Sequence, residues 1–211
     1  GGSDVIDGGL GDDVLELDGS VGVTVTAEGG GGTDTVQLVG ETNEASLSGV
    51  ELVTGSAGDD SLTINTSHIE TVSGGEGFDD VTLTDADGNT VELDGVEAVT
   101  ASGGDDSLTI NTNDIQSLSG GEGFDAVTLT DADGNTVDLD SVEVITGSEG
   151  ADILTVTDDT SVTIDGGLGD DTLFGGSGDD TLIGGGGSDL VDGGLGDDVL
   201  ELDGSVGVTA E

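Results

Sequence analysis

The chain has 211 residues, of which 48 are Asp or Glu and one is His; it has neither Lys nor Arg, and its formal net charge is −48. No acidic group has an internal cationic partner, and such a field repels phosphates and anionic headgroups, which excludes nucleic acid and bare membrane surface as direct partners. With 43 Gly, three Phe and no Cys, a conventional globular core is hard to build and disulfides are excluded, leaving an acidic disordered chain or a narrow core of aliphatic rows.

A truncated copy of a nine-residue pattern, GGSDVID, opens the chain, and complete copies of GGxGxDxUx, with U a large aliphatic residue, follow at 8–16 and 29–37. Copies at 74–82 and 120–128 keep the glycine pair; those at 55–63, 101–109 and 147–155 relax it. Four copies then run without interruption over 166–201, as GGLGDDTLF, GGSGDDTLI, GGGGSDLVD and GGLGDDVLE. The sixth position is Asp throughout: Asp4 in the truncated copy, then Asp13, Asp34, Asp60, Asp79, Asp106, Asp125, Asp152, Asp171, Asp180, Asp189 and Asp198. Compositional drift would not hold that register.

Each motif Asp is followed by an alternating run, such as Leu62 and Ile64, Val81 and Leu83, or Leu108 and Ile110, which predicts a short strand with these residues on one face and Thr63, Thr82 and Thr109 on the other. Further alternating runs lie between motifs, at Val21-x-Val23-x-Val25, Val91-x-Leu93, Val137-x-Leu139 and Val162-x-Ile164. A strand signal about every nine residues predicts an all-β fold, a parallel β-roll or β-solenoid of two strands and two turns per coil, about eighteen residues long. It is expected to be one continuous unit over 1–211.

Two longer periods overlie the motif. Within about 29–165 a 46-residue unit recurs: GDDSLTIN at 58–65 returns at 104–111, GGEGFD at 74–79 at 120–125, and TDADGNTV at 84–91 at 130–137. Residues 1–24 return at 186–209, a period of 185. Counted in half-coils, the motif starts lie 2, 3, 2, 3, 2, 3, 2, 1, 1 and 1 apart, twenty in all. An even total returns the long repeat to the same edge, as a continuous fibre requires, with a rise of roughly 48 Å at ~4.8 Å per strand.

Glycines permit tight turns and close carbonyl approach, and an Asp at fixed offset adds a hard anionic oxygen; carbonyls with carboxylates suit calcium rather than a soft metal. The half-coil count places on shared edges the pairs Asp13 with Asp34, Asp60 with Asp79, Asp106 with Asp125, Asp152 with Asp171, Asp171 with Asp189, and Asp180 with Asp198. Calcium between stacked turns would neutralise these carboxylates and couple folding to metal binding.

The pattern resembles the nonapeptide of the RTX family, bacterial β-roll proteins exported by type I secretion and folded by calcium outside the cell. The resemblance implies several Ca2+ ions bound by motif Asp side chains and turn carbonyls, and an extracellular or cell-surface location. The stretch opens with neither Met nor a basic, apolar leader, so any targeting signal is expected outside it.

Other features carry less chemistry. Asp85-Ala86-Asp87-Gly88-Asn89 and its copy Asp131-Ala132-Asp133-Gly134-Asn135 resemble the start of a calcium loop but lack its terminal Glu, so an Asp-Gly-Asn turn is favoured. A lone His68 supports neither a zinc site nor a triad, and no enzyme is expected. Phe78 and Phe124, at the fifth position of equivalent turns, are expected to point outward. The expected function is a calcium-stabilised structural segment of an extracellular filament, surface layer or adhesin stalk, with self-association or tandem continuation into a fibre and no membrane insertion. The alternatives are the folding module of a secreted toxin or hydrolase, or an ice- or ligand-binding solenoid, although Thr82-x-Thr84 and Thr128-x-Thr130 form only an incomplete threonine ladder.

Overall fold

The computed structural model describes residues 4–18 and 24–201. Among these residues, strands alternate between two eleven-stranded sheets, with no helix. Odd-numbered strands, from β1 (Val5–Leu10) to β21 (Leu190–Asp192), form one sheet, and even-numbered strands, from β2 (Val14–Asp18) to β22 (Val199–Glu201), the other. Each strand pairs in parallel with the strand two places further along, so the chain winds as the expected parallel β-solenoid.

Alternation with period two explains the core. Leu62, Val81, Val99, Leu118 and Leu139 stack in register up one sheet and are all buried. Ile64, Leu83, Val91, Leu93, Leu108, Ile110, Val137, Val162 and Ile164 are buried too, each contributing on the order of 1.5–3 kcal/mol by leaving water. The plain turns add apolar side chains that strand periodicity does not mark: Val50, Ile69, Val96, Ile115 and Val142 are buried.

Coil length is not constant. Thr172 pairs with Leu190 and Thr181 with Val199, 18 residues on, in the uninterrupted run. Elsewhere the step ranges from 17, Thr35 to Leu52, to 21, Ser117 to Asp138. Turns absorb the difference: three residues separate β10 (Thr90–Asp94) from β11 (Ala98–Thr100), whereas six separate β9 (Asp80–Leu83) from β10.

The 46-residue unit carries β7 (Ser61–Asn65) to β12 (Ser107–Ile110), an odd number of half-coils, so successive copies present their motifs on opposite edges. The 185-residue period carries Val5 on β1 to Leu190 on β21 in the same sheet. Val21, Val23 and positions 202–209 of that repeat lie outside the described residues.

Candidate metal centres along the two edges

The motif's first six residues carry the turn, except that residues 8–10 and 29–31 still belong to β1 and to β3 (Thr24–Gly31), and its last three enter the next strand. In the turn at 74–79, Gly75 and Gly77 adopt φ of +118° and +129°, which L side chains rarely take. Gly74 needs glycine for a different reason, since a Cβ there would strike the Gly95 carbonyl of the next coil and the Asp79 carboxylate.

The structure places Asp13, Asp34, Asp106, Asp125, Asp180 and Asp198 on the edge where the chain passes from the odd to the even sheet. Asp60, Asp79, Asp152, Asp171 and Asp189 lie on the other. Nine of these eleven are buried; Asp13 and Asp198, in the end coils, are half-buried. All six anticipated pairs are in direct contact. The N–H of the earlier Asp donates to Oδ1 of the later one: Asp13 to Asp34 at 2.9 Å, Asp60 to Asp79, Asp106 to Asp125 and Asp152 to Asp171 at 2.8 Å, and Asp171 to Asp189 and Asp180 to Asp198 at 3.0 Å. Asp4 is exposed at the start of β1, and the next turn on its edge, 19–23, lies outside the described residues.

These ladders extend to residues that the motif does not mark. Asn43, Asn89 and Asn135 donate their N–H to Oδ1 of Asp60, Asp106 and Asp152 at 2.8, 2.6 and 2.7 Å. At the far end, Asp34, Asp79 and Asp125 donate N–H to the carboxylates of Glu51, Glu97 and Glu143 at 2.7, 2.6 and 2.7 Å. Asn43, Asn89 and Asn135, like Glu51, Glu97 and Glu143, recur at the 46-residue spacing, which is the signal that could have found them. A second ladder runs outside the first in the opposite sense: the N–H groups of Phe78, Phe124 and Asp197 donate to Oδ1 of the earlier Asp59, Asp105 and Asp179 at 2.9 Å.

Oδ1 of every inner Asp from Asp34 onward is occupied, that of Asp180 by the Val162 N–H at 2.9 Å, but Oδ2 is not always. Buried Oδ2 atoms of Asp13, Asp34, Asp79, Asp125, Asp171 and Asp180 accept no hydrogen bond. Each lies beside the Cα of the first motif glycine, where a carbonyl of the next coil also converges: Gly29, Gly49, Gly95, Ser141, Gly184 and Gly193, respectively. A buried carboxylate oxygen with no proton donor is costly unless something positive joins it. Burial, with neighbouring carboxylates adding to it, pushes Asp79 and Asp125 up to about 6 and Asp171 up to about 7, and it also raises Asp180. Asp158 behaves in the opposite way: burial opposes ionisation, but donors from Thr160 and Ser141 outweigh it and hold the group below its usual value.

Among the described residues no three carboxylate or imidazole groups cluster as a metal site. The orphaned carboxylate oxygens and neighbouring carbonyls fit a hard cation held largely by main-chain oxygens, which is the chemistry of calcium rather than of a transition metal. The Asp-Gly-Asn segments form ordinary Asx turns, with the Asp87 and Asp133 N–H donating to Oδ1 of Asp85 and Asp131 at 2.9 and 2.8 Å. His68 is exposed in a turn beside Ser67, and Phe78 and Phe124 point outward, 45% and 57% exposed.

Fold and edges together define a two-sheeted parallel β-solenoid whose turns are lined by buried carboxylates. The RTX calcium-binding nonapeptide repeat matches in four copies, at residues 1–19 and 165–200, and these matches together with the parallel solenoid fit an RTX-type β-roll repeat protein. The coil continues through 24–164, beyond the matched stretches, with the same two sheets. No curated protein matches the chain.

Proposed function

We propose that this β-roll is a calcium-locked structural rod of a secreted bacterial protein, serving in an extracellular filament, surface layer or adhesin stalk. The observation that carries the reading is the series of buried Oδ2 atoms without a donor, each at a glycine on which a carbonyl of the next coil also converges, in a chain with no Lys or Arg to neutralise them. Asp13, Asp34, Asp79, Asp125, Asp171 and Asp180 would each contribute that oxygen to a calcium ion, alongside the converging carbonyl. In the C-terminal run the Asp189 and Asp198 carboxylates also lie against the first motif glycines, Gly184 and Gly193. Bound calcium would supply the positive charge that the chain lacks and would tie successive coils together. RTX repeats are typical of secreted proteins, which supports an extracellular location.

A role as rod rather than catalyst is supported by the matched family, a calcium-binding repeat, and by the 185-residue recurrence, which suits end-to-end continuation. The ice-binding alternative is weakened by the outward rows: Thr63, Thr82 and Thr100 align in single file, but the adjacent outward row reads Ser61, Asp80 and Ala98. Far-ultraviolet circular dichroism during calcium titration, with chelator reversal and a magnesium control, tests the reading. A cooperative coil-to-β transition near ~0.1–1 mM calcium, the range of extracellular modules, is expected. Full β-structure in chelator would refute metal-coupled folding. Electron microscopy then separates filament from stalk, since only the filament requires long end-to-end fibres.

A further inference from the structure

The three motif copies with a relaxed glycine pair differ from the others at one atom that matters. In each the second position is serine: Ser56, Ser102 and Ser148. None of these serines takes the positive φ that glycine adopts there, as Gly75 and Gly121 do at +118° and +102°. With the backbone in its ordinary region, the serine N–H donates to Oδ2 of the motif Asp: Ser56 to Asp60 at 2.8 Å, Ser102 to Asp106 at 3.2 Å and Ser148 to Asp152 at 2.7 Å. The hydroxyls of Ser56 and Ser148 lie 3.0 and 3.1 Å from the same oxygens. Asn43, Asn89 and Asn135 complete the enclosure, their Nδ2 donating to Oδ1 of the same Asp at 2.7, 2.8 and 2.8 Å.

The orphaned oxygens, those of Asp13, Asp34, Asp79, Asp125, Asp171 and Asp180, all lie in turns with glycine at the second position. Asp60, Asp106 and Asp152 are as buried as the others, at 2%, 2% and 0% exposed, yet none has an orphaned Oδ2. The carbonyl of the next coil still converges on the turn, as Gly74 O does at Gly55 and Gly166 O at Gly147. The oxygen cage is therefore present in both forms, and what differs is whether protein donors already occupy it.

From this division, and resting on the calcium reading above, we infer that the serine turns are closed by hydrogen bonds in place of calcium, so that Asp60, Asp106 and Asp152 hold no metal. Each 46-residue unit then stacks a permanently closed turn, Asn–Ser–Asp, directly beneath a calcium-dependent one, Asp–Glu. Because the unit spans an odd number of half-coils, these composite stacks alternate between the two edges. Every stretch of the middle region therefore has one metal-independent clasp. The uninterrupted run at 166–201, with a glycine at every second motif position, has none.

Calcium stoichiometry of the full chain, measured by equilibrium dialysis at saturating calcium, tests the assignment. Replacing all three serines, Ser56→Gly, Ser102→Gly and Ser148→Gly, lets the turns take the left-handed backbone, and one additional calcium ion per replaced serine is expected. In a second arm, Asp79→Asn, Asp125→Asn and Asp171→Asn should each remove one ion, whereas Asp60→Asn, Asp106→Asn and Asp152→Asn should remove none. Equal losses from the two Asp sets, or no gain from the serine set, would overturn the inference while leaving the calcium reading intact. A parent chain that binds no calcium would instead overturn both. Should the Asp60 set fail to give a β spectrum in calcium, the serine set alone decides.

Discussion

A carboxyl group with one oxygen held by an N–H and the other buried without a donor can be relieved by a cation or by its own proton, and the two make separable predictions. For Asp79, the facing acids are Asp60 and Glu97, with Asp59 beside them, and no basic group opposes them. Since Asp79 and Asp125 are raised to about 6 and Asp171 to about 7, the folded chain binds more protons than the unfolded chain between roughly pH 4 and 7. Metal-free stability should therefore rise as pH falls through that window. Asp158, whose value is lowered, stabilises above the ordinary carboxylate value and loses its contribution only below it, so it does not compete there. Circular dichroism in chelator should show β-structure gained between pH 7 and 4.5. The gain should be flattened in Asp79→Asn/Asp125→Asn/Asp171→Asn, and a loss of structure on acidification would contradict the site geometry. At the C-terminal run, Asp180→Asn with Asp198→Asn should raise the calcium midpoint for folding several-fold, whereas exposed His68→Ala should leave it unchanged. Matching midpoints in these two variants would count against the edge assignment.

Among the turns, backbone conformation separates the positions that must be glycine from those that need not be. Gly75→Ala combines a left-handed residue, which costs about 1–2 kcal/mol for an L side chain, with a Cβ directed at the Ser56 carbonyl. It should lower thermal stability in calcium by at least that amount, and a change below about 0.5 kcal/mol would mean that the turn relaxes freely. Ala101, which takes the first motif position in one serine turn and is buried there, shows that this position tolerates a methyl group where the local stack allows it. The strands, their facing and the edge of each motif were legible in the sequence, because period two and the half-coil count depend only on spacing. Coil length was legible only on average, since Ser48–Leu52 and 84–89 absorb different numbers of residues without disturbing either sheet. The ladder ends at Asn43 and Glu97 were not legible. Their partners Asp60 and Asp79 lie 17 and 18 residues away, so their roles appear only once the stacking of particular coils is known. The serine closure was hidden for a related reason: Ser56 reads as a relaxed glycine until its φ and its N–H direction are seen.

Among the described residues each strand pairs only with strands of the coils directly above and below, so stability should behave as a sum of neighbouring terms rather than as one global core. The charge density reinforces this. Some 48 acids along a rod of about 55 Å approach one per ångström, against one per ~1.7 Å in duplex DNA, so neutralisation has to be local, turn by turn. If that holds, removing one complete 46-residue unit should leave a working solenoid. Deleting 58–103 joins Ala57 to Gly104 and restores GSAGDDSLTIN without a seam, because 104–111 repeats 58–65. The ladder from Asn43 would pass through Asp106 and Asp125 to Glu143, the same chemical order as in the parent chain. An odd number of half-coils is lost, so everything downstream changes edge, yet both edges carry the same kinds of turn and neither sheet loses its aliphatic rows. The shortened chain is expected to fold in calcium with a midpoint within about two-fold of the parent. Small-angle scattering should find its long dimension reduced by roughly 12 Å, the rise of two and a half coils. A deletion chain that stays unfolded in calcium would show instead that the two edges are not interchangeable and that coupling along the rod reaches beyond nearest neighbours.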